Sequence, residues 1–241
     1  MCIFAYYVKN CLSTDLDVQL SDFTVSLSSS ILYEDSDGNW QNLTNLSSTE
    51  NRVWIDYADI PKDMEHAAVA IEDKRFYKHK GVDWYRTTGA FINMFLSMKN
   101  DFGGSTITQQ LAKQFYSPTA DNVMERLLQK PIEWVIAVQL ERYYTKEEIL
   151  TMYLNKFDFL NNAVGIKTAA NTYFSKEPKD LKTEEAATLV GMCKNPSYYN
   201  PRRFNERTRG RRNTVLNQMY KAEYITCLLY TSDAADDLIG V

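Results

Sequence analysis

Two adjacent acids, Glu72 and Asp73, end an alanine-rich stretch of helical character, and His79, one of the two histidines of the chain, follows shortly after. A carboxylate that leaves an apolar helix face is partly desolvated, and desolvation makes a carboxylate a better acceptor for a proton from a hydroxyl group. The stretch therefore suggests a general base, with Glu72 as the first candidate. The alternative is a helix whose polar face carries solvated charges, and this stretch alone does not decide between the two.

A glycine pair, Gly103 and Gly104, leads into the sequence STITQQLAKQF. Thr106 and Gln109 have the spacing of a capping box, so a glycine-rich turn feeds directly into a helix N-terminus. Free backbone N–H groups and the helix dipole make such a place suited to phosphate, and Lys113 falls on the same helix face. The alternative interpretation is an ordinary, well-capped surface helix.

A further acid, Glu133, lies in the long helical stretch from Met124 to Tyr144, three residues after Lys130. Residues three apart share a helix face, so the simplest interpretation is an ion pair within the helix. Pro131, between them, predicts a kink or an interruption near Lys130, which is an irregularity found where a side chain must be aimed.

The elements that position these residues are predicted to be mostly helices. Residues 12–60 are expected to be β-rich, because Phe23, Val25 and Leu27 alternate with polar residues and the run from Asp35 to Asn39 favours a turn, which together predict a small hairpin. One predicted helix ends at Glu72, and another is capped by Thr183. The other predicted helices are Trp84–Met98, Met124–Tyr144, Lys146–Asn155, Gly165–Phe174 and Asn205–Tyr220.

Two of these helices carry side chains with two interpretations each. The apolar face of Trp84–Met98 indicates core packing, with contact to a membrane as the alternative. The last helix is very basic, and its arginines indicate either a solvated face or a contact to anionic phospholipid: Arg207, Arg209, Arg211 and Arg212.

Composition excludes several classes of protein. With 241 residues, 44% hydrophobic and 13% aromatic, the chain can bury a core and is not globally disordered. The formal net charge of −4 predicts no nucleic-acid partner. The four cysteines are scattered, without zinc-site spacing or a disulfide framework, and no apolar run reaches the roughly 18 residues of a membrane-spanning helix.

Five stretches, in this order, resemble the motifs of the peptidoglycan glycosyltransferase (transglycosylase) family, the polymerising domain of class A penicillin-binding proteins and of monofunctional transglycosylases. They are EDKRFYKHKG from Glu72, GGSTITQQLAKQ from Gly103, QKPIE from Gln129, KEEILTMYLN from Lys146 and GIKTAANTYFSK from Gly165. The resemblance covers residues 30 to 222. It implies a mainly α, lysozyme-like helical glycosyltransferase domain over residues 61–222, with the small β-hairpin region before it.

The resemblance also implies a reaction. The family transfers a lipid-linked growing glycan, the donor, to the sugar 4-hydroxyl of lipid II, the acceptor, with inversion and release of a polyprenyl pyrophosphate. It makes Glu72 the catalytic base and Glu133 the second catalytic carboxylate, and His79 an orienting group more than a proton carrier. The implied substrate-binding residues are Asp73, Phe76, His79, Gly104, Ser105, Thr106, Gln109, Gln110, Lys113 and Lys130. It implies no metal ligand and no required cofactor, and leaves stimulation by a divalent cation open.

One departure from the family pattern concerns the third motif, where Gln129 stands at the usual arginine position and Pro131 follows the lysine. A cation for the substrate phosphate is therefore missing or supplied elsewhere, and we interpret the chain as an active variant. Two alternatives stay open at this point. A lysozyme-like glycan-cleaving enzyme would leave GGSTITQQLAKQ unexplained, and a catalytically silent scaffold that binds lipid II would fit Gln129.

The two ends of the chain carry separate expectations. We expect residues 1–11 to be the remnant of a membrane anchor, and residues 227–241, which begin CLLYTSDAADD, to be a non-native tail that resembles a translated sequencing adapter. Without the three aspartates of that tail the formal charge would be −1. The resemblance places the protein at the extracytoplasmic face of the cytoplasmic membrane, with a fused or separate transpeptidase as partner.

Overall fold

The structure, a computed structural model, describes residues 29–34, 40–46, 52–89, 104–116 and 123–226. In these ranges the chain is mainly helical, as predicted. Residues 84–89 are helical, and the remainder of the predicted Trp84–Met98 helix lies outside the described residues. The other elements are strands β1 (Ser29–Glu34) and β2 (Trp40–Leu46), and helices α1 (Lys62–Glu72), α2 (Ile107–Tyr116), α3 (Val123–Tyr143), α4 (Lys146–Lys156), α5 (Ile166–Phe174), α6 (Thr183–Met192) and α7 (Asn205–Lys221). Short 3₁₀ turns lie at Tyr57–Asp59, Phe76–Lys78 and Pro178–Asp180.

Strands β1 and β2 form an antiparallel hairpin, paired from Ser29 with Leu46 to Glu34 with Trp40. A register shift between Ile31 and Leu32 introduces a bulge. The pairing confirms the predicted β-hairpin, whereas the alternating residues Phe23 to Leu27 and the turn between the strands lie outside the described residues.

The described residues divide into two compact units. The first comprises 77–89, 104–116 and 123–149, and the second comprises 29–34, 40–46, 52–76 and 150–226. In the first unit α2 packs against α3. Both helices bury one apolar face in this contact, since the following side chains are all buried: Ile107, Leu111, Ala112, Ile136, Ala137 and Leu140.

In the second unit α1 packs against both α6 and α7, and α6 packs against α7. The alanine stripe of α1 allows this close approach, because Ala67, Ala68 and Ala70 are small and buried, as are Leu189 of α6 and Leu216 of α7. Buried Asn155 secures the chain that leads into α1: its side-chain amide accepts from the N–H of Ile55 at 3.0 Å and donates to the carbonyl of Ile55 at 2.9 Å.

Two local predictions differ from the structure. The predicted interruption at Pro131 is absent, since helix α3 runs through it from Val123 to Tyr143, and the alternative, a kink near Lys130, stays a prediction. Proline removes one backbone hydrogen bond, and the buried face of the helix beyond it outweighs that loss of about 3 kcal/mol. Thr183 does not cap α6 but is its first helical residue, after Lys182 at the N-cap position. The Thr183 hydroxyl instead donates to Asp63 on α1 at 2.5 Å.

No helix in the ranges that the structure describes is both long enough and apolar enough to cross a membrane.

Candidate functional site

Glu72 is the last residue of α1 and belongs to the second unit. Its carboxylate oxygen Oε1 lies 3.3 Å from Nη2 of Arg211, which α7 supplies, and the side chains are only 15% and 11% exposed. The ion pair therefore lies largely out of water. Sequence reasoning missed Arg211 as a partner, because no local spacing relates positions 72 and 211.

The arginines of α7 do not form one solvated face. Arg212 is fully buried, and Arg211 is shielded by its contacts with Glu72 and Gly191. The interpretation of these two residues as solvated is wrong, since α7 packs that side against α1 and α6. Arg207, in contrast, is exposed and lies over the rings of Tyr198 and Phe204.

Two neutral groups lie near Glu72 in the same unit. Burial raises the pKa of the Tyr153 phenol well above its ordinary value, and the nearby thiol of Cys193 and the negative charge of Glu72 raise it further. Burial, and then the charge of Glu72, likewise raise the pKa of the Cys193 thiol. Both groups therefore stay protonated at neutral pH, and Arg211 is the cation that faces Glu72 from α7.

Asp73 and Phe76 occupy the turn that follows α1, and both are fully buried. The N–H of Asp73 donates to the carbonyl of Val69 at 3.1 Å, and the carbonyl of Asp73 accepts from Phe76 at 2.9 Å. The turn thus fixes the end of α1, where Glu72 lies. A substrate contact by either side chain stays a prediction.

In the first unit, Thr106 and Gln109 form the predicted capping box at the start of α2. The N–H of Thr106 donates to Oε1 of Gln109 at 3.2 Å, and the N–H of Gln109 donates to the hydroxyl of Thr106 at 3.1 Å. The Thr106 hydroxyl also donates to the carbonyl of Gly81 at 2.6 Å, which ties the second motif to the end of the first. Both residues are buried, as is Gly104 just before them.

Lys130 joins the second and third motifs. Its amine donates to Oε2 of Glu133 at 2.5 Å and to the hydroxyl of Ser105 at 3.2 Å. This confirms the predicted ion pair within α3, and burial distinguishes it from a surface pair, since Glu133 is 2% and Lys130 14% exposed. A primary amine, a hydroxyl and the N-terminus of α2 are the groups that can hold an anionic oxygen.

The other predicted site residues of α2, Gln110 and Lys113, are half-buried, and so is Gln129 of α3. Gln129 precedes Lys130 on α3, so the position where the family usually has arginine carries a neutral amide beside the ion pair.

The buried carboxylate of Glu141 contacts three separate segments, which the sequence analysis did not predict. Its Oε1 accepts from the Thr108 hydroxyl at 2.7 Å and from the Lys146 amine at 2.6 Å, and it lies 4.0 Å from Nδ1 of His79. The first, second and fourth motifs therefore meet at one carboxylate. Its position in the last turns of a long helix gave no signal of this role.

The structure thus brings the predicted residues together in two groups. Glu72, Asp73 and Phe76 belong to the second unit, and His79, the residues of α2 and the pair Lys130 and Glu133 belong to the first. No cluster of three or more histidine, cysteine, aspartate or glutamate side chains that could hold a metal ion occurs in the described parts of the chain. The expectations about cofactors and cations stay predictions.

Comparison with known proteins gives a family match described as "Transglycosylase" over residues 39–220. Penicillin-binding protein 1A of Streptococcus oralis is 38% identical over 230 residues, which cover 95% of this chain and 34% of that protein. Penicillin-binding protein 1F of Bacillus subtilis is 42% identical over 178 residues, which cover 74% of this chain and 24% of that protein.

Among solved structures, that of penicillin-binding protein 1A from Haemophilus influenzae aligns with 90% of this chain and 22% of its own, at 21% identity and a TM-score of 0.48. The chain spans about a third or less of the length of all three proteins.

Proposed function

The chain belongs to the transglycosylase family of peptidoglycan glycosyltransferases, and on this basis we propose that it polymerises lipid II into glycan strands. In the proposed reaction the sugar 4-hydroxyl of the acceptor attacks the anomeric carbon of a lipid-linked glycan. The bond to the pyrophosphate breaks with inversion, and a polyprenyl pyrophosphate leaves.

Glu72 is the proposed base. It takes the proton of the 4-hydroxyl as the new glycosidic bond forms, a step that needs a carboxylate in fixed geometry. Its place at the end of α1 and its ion pair with Arg211 supply that fixed geometry.

The departing pyrophosphate needs positive charge and hydrogen-bond donors. In this proposal the amine of Lys130, the hydroxyl of Ser105 and the N-terminus of α2 supply them. Glu133 acts on the donor side and holds the amine in place through its bond to Lys130. Lys113 and Gln110, one turn along α2, extend the path for the donor.

The observation that carries the proposal is the contact of Lys130 with both Ser105 and Glu133. It joins the glycine-turn motif to the second carboxylate, and a glycan-cleaving enzyme has no leaving pyrophosphate that would need this arrangement. In the second unit, the buried residues Asp73 and Phe76 support the end of α1 that carries Glu72. In the first unit, the buried residues Thr106 and Gln109 fix the start of α2, and His79 lies beside Glu141. We also propose that the protein acts at the extracytoplasmic face of the membrane, beside a fused or separate transpeptidase.

The test supplies labelled lipid II to the full chain in detergent and resolves the products on a gel. We expect a ladder of polymers. Shortening of preformed glycan without polymer formation would instead support the glycan-cleaving alternative. Binding of lipid II without any turnover would support a silent scaffold. Either of the last two results would contradict the proposal.

A further inference from the structure

Arg211 differs from Arg209 on the same helix. The pair of Arg209 with Glu206 at 3.0 Å is a surface contact, with side chains 40% and 80% exposed. Such pairs are weak, because water screens them and both side chains lose freedom. The pair of Arg211 with Glu72 is shielded and links α7 to α1, so it restrains the carboxylate far more strongly.

Arg211 is itself fixed at the end of α6. Its Nε donates to the carbonyl of Gly191 at 3.3 Å. Gly191 is the second-last residue of α6, where backbone carbonyls lack helical partners and the helix dipole favours a cation. The guanidinium centre also lies 5.9 Å from the centre of the Tyr199 ring.

Gly191 gives the arginine the room that it needs. A Cβ at this position would lie 3.1 Å from Cγ of Arg211, which is closer than ordinary van der Waals contact. Any side chain at position 191 therefore pushes the arginine stem aside, without a change in the charge of either partner.

We propose that Arg211 is a positioning residue that orients the Glu72 carboxylate toward the acceptor hydroxyl. Gly191 holds Arg211 in place, because its carbonyl accepts a hydrogen bond from Arg211 and its missing side chain leaves room for the arginine stem. The inference rests on the proposed role of Glu72 as base. A base must be held within hydrogen-bond reach of the proton that it removes, and small displacements reduce the rate steeply.

Within the described residues, Tyr153 of α4 and Cys193, the residue after α6, also lie near Glu72. Burial keeps the phenol and the thiol protonated through neutral pH, whereas Arg211 faces the carboxylate with a positive charge.

The test measures polymerisation of lipid II by the full chain and by four variants. Arg211→Gln should lower kcat at least about 10-fold with a much smaller change in KM. Arg211→Lys, which keeps the charge, should recover part of the rate. Gly191→Ala should lower kcat while Tm stays equal or rises, because alanine favours the helix. Arg203→Gln, an exposed arginine before α7, is the matched control and should act like the parent chain.

A structural role alone makes different predictions. If Arg211→Gln and Arg211→Lys lose activity equally and in proportion to Tm, the inference is overturned. Gly191→Ala with full activity would also count against it.

A second measurement separates this inference from the proposed function. The NMR signal of the Glu72 carboxyl carbon, labelled with ¹³C and assigned with Glu72→Gln, is recorded at neutral pH in the parent chain and in Arg211→Gln. A signal that differs between the two chains, with no polymerase activity in the parent chain, would support the pairing and refute the function. The same signal in both chains, with an active parent chain, would refute the inference and leave the function standing.

Discussion

Gly81 offers the sharpest test of how the first unit is built. Its φ is +84°, in the left-handed region, and it lies directly against α3. A Cβ at this position would lie 2.5 Å from the carbonyl oxygen of Ala137 and 2.7 Å from the backbone nitrogen of Val138. These are helix backbone atoms that cannot rotate away, so Gly81→Ala must displace either the turn or α3.

The expected cost follows from three terms. An alanine at positive φ costs about 1 kcal/mol. Forced overpacking against a fixed backbone costs about 1–3 kcal/mol. The carbonyl of Gly81 accepts the buried Thr106 hydroxyl at 2.6 Å, and a weakened bond of that kind costs about 1 kcal/mol. We therefore expect a loss of about 3 kcal/mol or more in the free energy of unfolding.

The assay is urea unfolding of the full chain followed by tryptophan fluorescence, to which the edge-to-face pair Trp84 and Trp134 of the same unit contributes. Gly210→Ala on α7 is the matched control, since a Cβ there meets nothing within 4 Å. Alanine restricts the unfolded chain equally in both variants, so their difference isolates the cost in the folded state. The control should be neutral or slightly stabilising. A difference below about 1 kcal/mol would refute the reasoning.

Three further predictions concern the site. Glu133→Gln should abolish polymerisation with retained binding of lipid II, because the amine of Lys130 loses its charged partner while the helix persists; full activity would remove Glu133 from the catalytic residues. Gln129→Arg should change the polymerisation rate only modestly, and a rise of several orders of magnitude would show that the natural chain is effectively disabled. The free energy of unfolding should fall as pH rises above the ordinary thiol pKa of 9.0, because the folded state binds the Cys193 proton more tightly than the unfolded state does. Below that pH the stabilisation from the buried, protonated thiol is fully present. Urea unfolding at pH 8 and pH 10 should show a smaller fall for Cys193→Ala, and an equal fall would contradict the burial effect.

Local features of the site could be predicted because each depends on a few neighbouring residues. The capping boxes of Thr106 with Gln109 and of Thr145 with Glu148 follow from a three-residue spacing, and both exist. The pair of Lys130 with Glu133 follows from the same helical geometry. The family resemblance then supplied roles that no spacing could supply.

Contacts between distant segments could not be predicted in this way. In the sequence, Arg211 is one of four arginines on a basic helix. Only the packing of α7 on α1 and α6 brings it against Glu72. Glu141 reads as a polar residue near a helix end, and only the fold of the first unit brings Thr108 and Lys146 to it.

The absent cap at Thr183 and the absent interruption at Pro131 have the same origin. Thr183 has the chemistry of a cap, but its hydroxyl lies beside Asp63 of α1, and the carboxylate of Glu185 accepts the N–H of Lys182 instead. Pro131 has the chemistry of a helix breaker, but tertiary packing of the following turns preserves α3.

The central claim is that Glu72 removes the proton of the acceptor hydroxyl. The most direct measurement is the rate of polyprenyl pyrophosphate release from labelled lipid II by the full chain and by Glu72→Gln, which keeps the shape of the side chain and removes the base. The account predicts a fall in kcat of about 10²- to 10⁴-fold with little change in the binding of lipid II. A Glu72→Gln variant that polymerises lipid II at the parental rate would contradict it.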